Sequence, residues 1–427
     1  MIEIYFMKKN NAFLEKSAFL LFAVIMIISS CKKNQVNNEI GENNKKDEKL
    51  YAVLLQNGVK AESIVSLDGY YLVEGDLLFK KNGTDLIRAA AYFQEIKEND
   101  KVIVLPRKSQ VAGKVSVLRD NDHKISQWKT PGIVSSENIE TISISRSSDL
   151  TSWMTAIDNA AEALASISDS KLNFYFITPN ELPNSNLYTD ILIRSDSNIL
   201  PNDVIAAAGF PSNDKPYFEV LVNLDFLNNY SVSESQKKYN IVHEIGHCIG
   251  LRHSNWQNLG EPQIGAILIP GTPSADAGSV MNGGTALNSW NGFSSYDVVA
   301  INNLYPFSTY DKWLTSPESK YKSFASNNNF WHGTAIFVGE SAEFEIKWNS
   351  NLVPTETVSL QLYQYGQFKA VIANNIPNNG SYYFNGSSII PYQNSPRFIG
   401  QYQVKIVSDE NPSITDKTSL FKLIFSE

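Results

Sequence analysis

The chain has 427 residues, 43% hydrophobic and 19% charged, with 36 Lys+Arg against 44 Asp+Glu and a formal net charge of −8. That length has room for more than one domain, and the acidic balance supplies no basic stripe, which excludes a nucleic-acid partner. Only two cysteines are present, too few for a disulfide framework, so apolar cores must carry the stability.

Lys8, Lys9 and Lys16 precede an apolar run over residues 18–28 that is too short for a comfortable membrane span and has the build of a signal peptide. The run ends in Ile28-Ser29-Ser30-Cys31, which resembles a bacterial lipobox. In such a sequence the cysteine becomes the lipidated first residue, so residues 1–31 read as a lipoprotein signal with Cys31 as the lipidation site. The implied location is the bacterial cell envelope, with the chain lipid-anchored at the membrane and facing either the periplasm or the cell surface. A secreted chain with an incidental cysteine is the alternative. Residues 32–50 are Asn, Glu, Lys and Asp with almost no apolar residue, a composition that cannot offset its ordering entropy and reads as a flexible tether.

Residues 51–130 read as a small β-rich region, with strand composition at 70–79 and 101–105 and partial alternation at 111–118. Its position N-terminal to the remaining strands and helices fits a propeptide lying over a cleft, and an N-terminal folding module fits equally. Further on, residues 141–145 suggest a strand. Residues 150–167 suggest a helix with Trp153, Ile157, Ala160, Ala161 and Leu164 on one face. Strands come next at 173–177, 190–193 and 217–224.

The chemistry is concentrated in His243-Glu-Ile-Gly-His-Cys-Ile-Gly-Leu-Arg-His253, which holds three of the five histidines in the chain. His243 and His247 are four apart, so on a helix both rings project from one face and can share a metal ion. Gly250 stands where the chain must leave that helix, since glycine accepts the left-handed backbone at little steric cost. His253, just past the turn, can then supply a third nitrogen, leaving the fourth tetrahedral position of a single Zn2+ open for water. Glu244 can approach that water without coordinating the metal, which is where a general base belongs. A buried helix with merely structural histidines, or a degenerate structural zinc site, is the bland alternative, and Glu244 argues against both. Cys248 reads as a small buried hydrophobe rather than a ligand.

This stretch resembles the metzincin metallopeptidases. Ser279-Val280-Met281-Asn282 is similar to the Met-turn of those enzymes, which implies that Met281 supports the ligands from below. Residues 293–305 continue with a helical, one-faced pattern, Ser294 or Ser295 serving as N-cap. With Cys-Ile-Gly-Leu-Arg-His and Gly271-Thr-Pro-Ser274, the chain is most similar to the bacterial dual-action HEIGH metallopeptidases over about residues 130–307. Gly283 stands where related families carry a Met-turn tyrosine, so no tyrosine at that position can assist, and Tyr296 is left as the alternative. By the same resemblance, substrate would add to an edge strand containing residues 219–224. A thiol latch of the matrixin kind has no cysteine to use. Latency would need a carboxylate, for which Asp76, Asp120 and Asp122 are unranked candidates, or simple cover.

After Tyr305-Pro306 the composition turns to Ser, Asn and Lys, a linker over 308–329. Short alternating strands then recur at 343–348, 358–363, 369–372 and 400–406, spaced by Asn/Gly/Pro turns, which argues for a β-sandwich over 330–427. Trp331…Gly333, Ile346-Lys-Trp348, Asn379-Gly-Ser-Tyr382 and Tyr402-Gln-Val-Lys-Ile406 resemble the immunoglobulin-like domain of fungal Ser/Thr-rich wall-anchored proteins. Trp331 and Trp348 read as core. His123 and His332 read as non-ligands.

The expected fold is therefore α+β. A metzincin-like zinc peptidase domain at 131–307, a twisted mixed sheet with an active-site helix and a C-terminal helix, stands between the β-rich N-terminal region and the all-β sandwich. The expected function is a zinc-dependent endopeptidase acting on protein or peptide substrates. A catalytically inactive adhesin or binding protein on the same scaffold, or a hydrolase of another amide, is the alternative. Natural substrate, calcium dependence and oligomeric state are not legible in the sequence.

Overall fold

A computed structural model describes residues 48–73, 75–81, 84–98, 102–103, 127–167, 169–176, 189–196, 198–255, 266–272, 276–306, 313–317, 334–338, 343–364, 367–386, 389, 401–418 and 421–425. The signal and Cys31, most of the tether, the strand expected at 111–118, Asp120, Asp122, His123, the linker beyond Pro317, Trp331 and His332 lie outside these residues. Among the described residues, no helix is long and apolar enough to cross a membrane.

The N-terminal region forms a three-stranded antiparallel meander, β1 (Ile64–Leu67), β2 (Tyr70–Val73) and β3 (Leu77–Lys80). It also carries two helices that the strand-based reading did not assign, α1 at residues 48–56 and α2 (Thr84–Glu98). Leu50, at the nominal end of the tether, is already buried in α1. Leu50, Leu54, Tyr71, Val73, Leu77, Ala89 and Phe93 close a small core of their own, which also takes in Phe210 from the central domain.

Short strands β4 (Val102–Ile103) and β5 (Trp128–Lys129) lead into the central domain. There β6 (Ile142–Arg146), helix α3 (Met154–Ala165), β7 (Phe174–Phe176), β8 (Ile191–Ser195), β9 (Ala206–Ala208) and β10 (Glu219–Val222) follow in order. Ala156, Ile157, Ala160, Ala161 and Leu164 are the buried face of α3, as its helical spacing requires. The sheet is mixed and runs β1-β2-β3-β9-β10-β8-β6-β7, with β10, β8, β6 and β7 parallel to one another. Its strands are nearly all apolar because both faces are covered, and Val220, Leu221 and Val222 are fully buried.

One expectation is corrected here. Residues 219–222 are not at an edge, since β10 lies between β8 and β9. The reason is local: three alanines at 206–208 fold back antiparallel on β10, pairing Val220 with Ala208 and Val222 with Ala206. The outer side of β9 then meets β3, in parallel, at Leu77 and Ala208.

Helix α4 (Glu234–Cys248) packs beneath this sheet. A reciprocal capping box starts it: Ser233 accepts from the Gln236 amide, and the Gln236 side chain accepts from the Ser233 amide. Strands β11 (Leu251–Arg252) and β12 (Ala266–Leu268) join β4 and β5 in a second small sheet, and α5 (Ser295–Leu304) closes the domain. Ser294 is its N-cap, with Asp297 completing a second capping box.

The C-terminal strands form a three-stranded and a six-stranded sheet. Ile346, Trp348, Leu360, Leu362, Val404, Ile406 and Leu423 pack between them. Trp348 is buried core and donates its indole N–H to Asn378 Oδ1 at 2.7 Å.

Candidate metal centre

Residues Tyr239–Cys248 of α4 are all buried, so its two histidines face protein rather than solvent. The helix ends at Gly250, whose φ of +106° turns the chain back. Thr130 fixes that turn by donating its amide to the Gly250 carbonyl at 2.8 Å. β11 then returns His253 to the other two rings.

The three imidazoles converge through one kind of atom. His243 Nε2 lies 3.1 Å from His253 Nε2 and 3.1 Å from His247 Nε2, and the remaining pair is 3.3 Å apart. A tetrahedral ion with Zn–N bonds of roughly 2.0–2.1 Å spaces its nitrogens by about 3.3 Å. On the opposite side of two rings the partners are carbonyls: His243 Nδ1 donates to Val280 O at 2.7 Å and His247 Nδ1 to Leu251 O at 2.8 Å. Because a carbonyl can only accept, the proton sits on Nδ1 and each Nε2 keeps its lone pair for a metal. The donor set therefore fits a single zinc ion.

A fourth donor is present. Asp76, in the β2–β3 turn, places Oδ2 2.6 Å from His253 Nε2, 3.6 Å from His247 Nε2 and 3.7 Å from His243 Nε2. The four side chains form a group able to hold a metal.

Residues 108–305 match the family model described as dual-action HEIGH metallo-peptidase. The match spans the central domain, which is similar to that family. A solved structure titled "Structure of myroilysin" is 16% identical, with a TM-score of 0.27, and the alignment covers 41% of this chain and 98% of that one. No curated protein matches the chain.

Within the central domain, Glu244 lines a cavity of about 320 Å³ together with Asp76, His243, His253, Asp203, Tyr239 and Asn282. Its Oε2 is buried without a hydrogen-bond partner among the described residues. Burial, and then the Asp76 carboxylate, push the Glu244 carboxyl well above its ordinary range. Burial drives His247 down to about 4, keeping it neutral. For Asp76, burial acts upward, but the neighbouring imidazoles, His253 foremost, outweigh it and hold the carboxyl well below the usual range. Cys248 is a free buried thiol outside the metal group, its acidity suppressed by burial.

Met281 is fully buried below α4. Its carbonyl accepts the Ser254 amide at 2.8 Å, so the turn is tied to the residue after the third histidine. Ser254 Oγ repeats the tie by donating to Asn282 Oδ1 at 2.6 Å. Tyr296 does not line the cavity.

Sequence reasoning passed over Gly246, Asp297 and Asp276. Gly246 lies directly over Met281. Asp297 accepts from the Val280 amide at 3.0 Å, from Ser279 Oγ at 2.6 Å and from Gln127 Nε2 at 2.9 Å. It thereby steadies the peptide whose carbonyl orients His243. Asp276 holds the same Gln127 amide at 3.1 Å. The one legible signal was the Ser294-x-x-Asp297 spacing of a capping box.

Proposed function

We propose that the protein is a zinc-dependent endopeptidase in which His243, His247 and His253 hold the ion and Glu244 is the general base. The observation that carries this reading is the convergence of three Nε2 atoms, with two rings oriented by backbone carbonyls. When bound, zinc supplies Lewis acidity that brings the pKa of a water toward about 7 and polarises a carbonyl.

The chain's own residues do the rest. Glu244 takes a proton from the attacking water at its carboxylate and delivers it to the departing amine nitrogen. Val280 and Leu251 hold two rings in one tautomer, so little reorganisation accompanies the reaction. Gly250 and Met281 act indirectly, by fixing the helix end and the floor of the site. A lipid anchor at Cys31, supported by the lipobox-like sequence, would keep the enzyme at the bacterial envelope.

The test is a paired assay of the full chain and its Glu244→Gln variant on an unfolded protein, after treatments that open the site. Both are expected to bind one zinc, with hydrolysis falling at least 100-fold in the variant. Equal hydrolysis by the two would remove the general base from the mechanism.

A further inference from the structure

We propose that Asp76 is a latch, a fourth metal ligand presented by the N-terminal region, and that the full chain is latent until the β2–β3 hairpin withdraws. This rests on the zinc peptidase reading and concerns the regulation of the same site.

Two independent bonds put Asp76 in the way of substrate. Its carboxylate occupies the side of the three imidazoles on which the fourth tetrahedral position must lie, 2.6 Å from His253 Nε2. Three histidines and one carboxylate complete a four-coordinate zinc site, and a complete site has no place for the reacting water. Its carbonyl accepts the Ala208 amide at 3.2 Å, and the neighbouring Leu77 pairs with Ala208 as β3 lies along β9. An extended peptide would need that same strand edge to add to the sheet. The hairpin thus occupies both the reacting position and the backbone track.

The hairpin is held by contacts that separate without breaking a covalent bond. Tyr70 donates to Glu219 Oε2 at 2.5 Å, and Arg194 bridges Tyr70 and Glu219 at 3.1 and 2.7 Å. Tyr92 of α2 stacks on Phe210 of the central domain with ring centroids 5.7 Å apart. Phe210 in turn stands edge-on to His247, also at 5.7 Å. The N-terminal region has an apolar cluster that takes in Phe210, while Tyr70, Leu72 and Leu78 of the hairpin pack into the core of the central domain. Withdrawal of the hairpin therefore also exposes Tyr70, Leu72 and Leu78, so the latch is held by apolar burial as well as by the polar contacts.

The test replaces zinc by cobalt(II) in the full chain and follows the visible absorption as acetohydroxamate, a small bidentate metal ligand, is added. Wild type is compared with Asp76→Ala and with Asp76→Asn, which keeps the side-chain shape; the backbone bond to Ala208 is open to both variants. A latch closed nine-tenths of the time raises the apparent Kd about tenfold, so both variants should bind the hydroxamate at least that much more tightly than wild type. Equal binding by all three chains overturns the latch. Casein hydrolysis read alongside separates the two readings. Hydroxamate binding gained without hydrolysis leaves the latch standing and counts against the peptidase. Equal hydrolysis by all three chains, abolished by Glu244→Gln, removes the latch and leaves the peptidase.

Discussion

Met281 lies so close under Gly246 that a Cβ built on the glycine would stand 2.5 Å from its sulfur. The glycine in the middle of the histidine helix is therefore a packing requirement, letting the turn at Met281 rise against the helix floor. Met281 is fully buried and cannot swing aside into solvent. Gly246→Ala should destabilise the protein by about 1–3 kcal/mol through overpacking, despite alanine's better helix propensity. Urea unfolding of the two chains reads this directly. A more stable variant would mean that the methionine has room to move.

Asp297 reaches His243 through one peptide. The carboxylate accepts the Val280 amide, and the Val280 carbonyl accepts from His243 Nδ1. Removing it frees the turn without touching a metal ligand. Asp297→Ala is expected to weaken zinc binding by roughly 10–100-fold, the usual effect of losing an outer-shell partner. Competition against a colorimetric chelator measures it. Unchanged zinc affinity would show that Asp276 and Gln127 hold the turn alone.

These two relationships mark where sequence reading stopped. His243, His247 and His253 were legible because helix geometry and a glycine turn dictate their spacing. The apolar face of α3 was legible for the same reason. Asp76 was one of three unranked carboxylates, because a hairpin tip 167 residues before His243 meets the site only through sheet pairing. The misplaced edge at 219–222 has a similar origin. Three alanines carry little strand propensity, and β9 exists because both its neighbours supply hydrogen bonds. Helix α2 was missed where the surrounding β-rich pattern dominated the reading.

The docking of the N-terminal region should depend on pH through Asp85. This carboxylate is buried, accepts the Lys80 amide at 2.6 Å and faces the Tyr217 hydroxyl at 3.4 Å and Arg88 Nε at 3.8 Å. Burial dominates and raises its pKa from 3.8. The folded form thus holds its proton to higher pH than the unfolded form. The corresponding stability is fully present below 3.8 and is lost as pH rises through the folded value. Asp85→Asn removes the titration while keeping an acceptor for Lys80. The urea midpoint of the variant should therefore gain on wild type as pH rises from about 4 to 7. A difference independent of pH would place the charge of Asp85 elsewhere.

Removal of zinc should loosen the domain as well as silence it. His243, His247 and His253 are 7%, 0% and 2% exposed, and their Nε2 atoms crowd to within 3.3 Å of one another. Without a cation these lone pairs repel in a region of low dielectric, or one ring must take up a proton that burial disfavours. Zinc at 1,000 times its dissociation constant contributes about 4.1 kcal/mol to the folded state. Chelation should accordingly lower the melting temperature of the central domain, and one equivalent of zinc should restore it. Magnesium and calcium should not, because three imidazoles suit a borderline metal and not a hard, oxygen-seeking one. The Asp76→Ala variant sharpens the comparison, since it leaves the three-histidine set intact and withdraws only the carboxylate. If chelation left the melting temperature of both chains unchanged, the three rings would be held by protein packing alone, and the converging nitrogens would no longer argue for a resident ion.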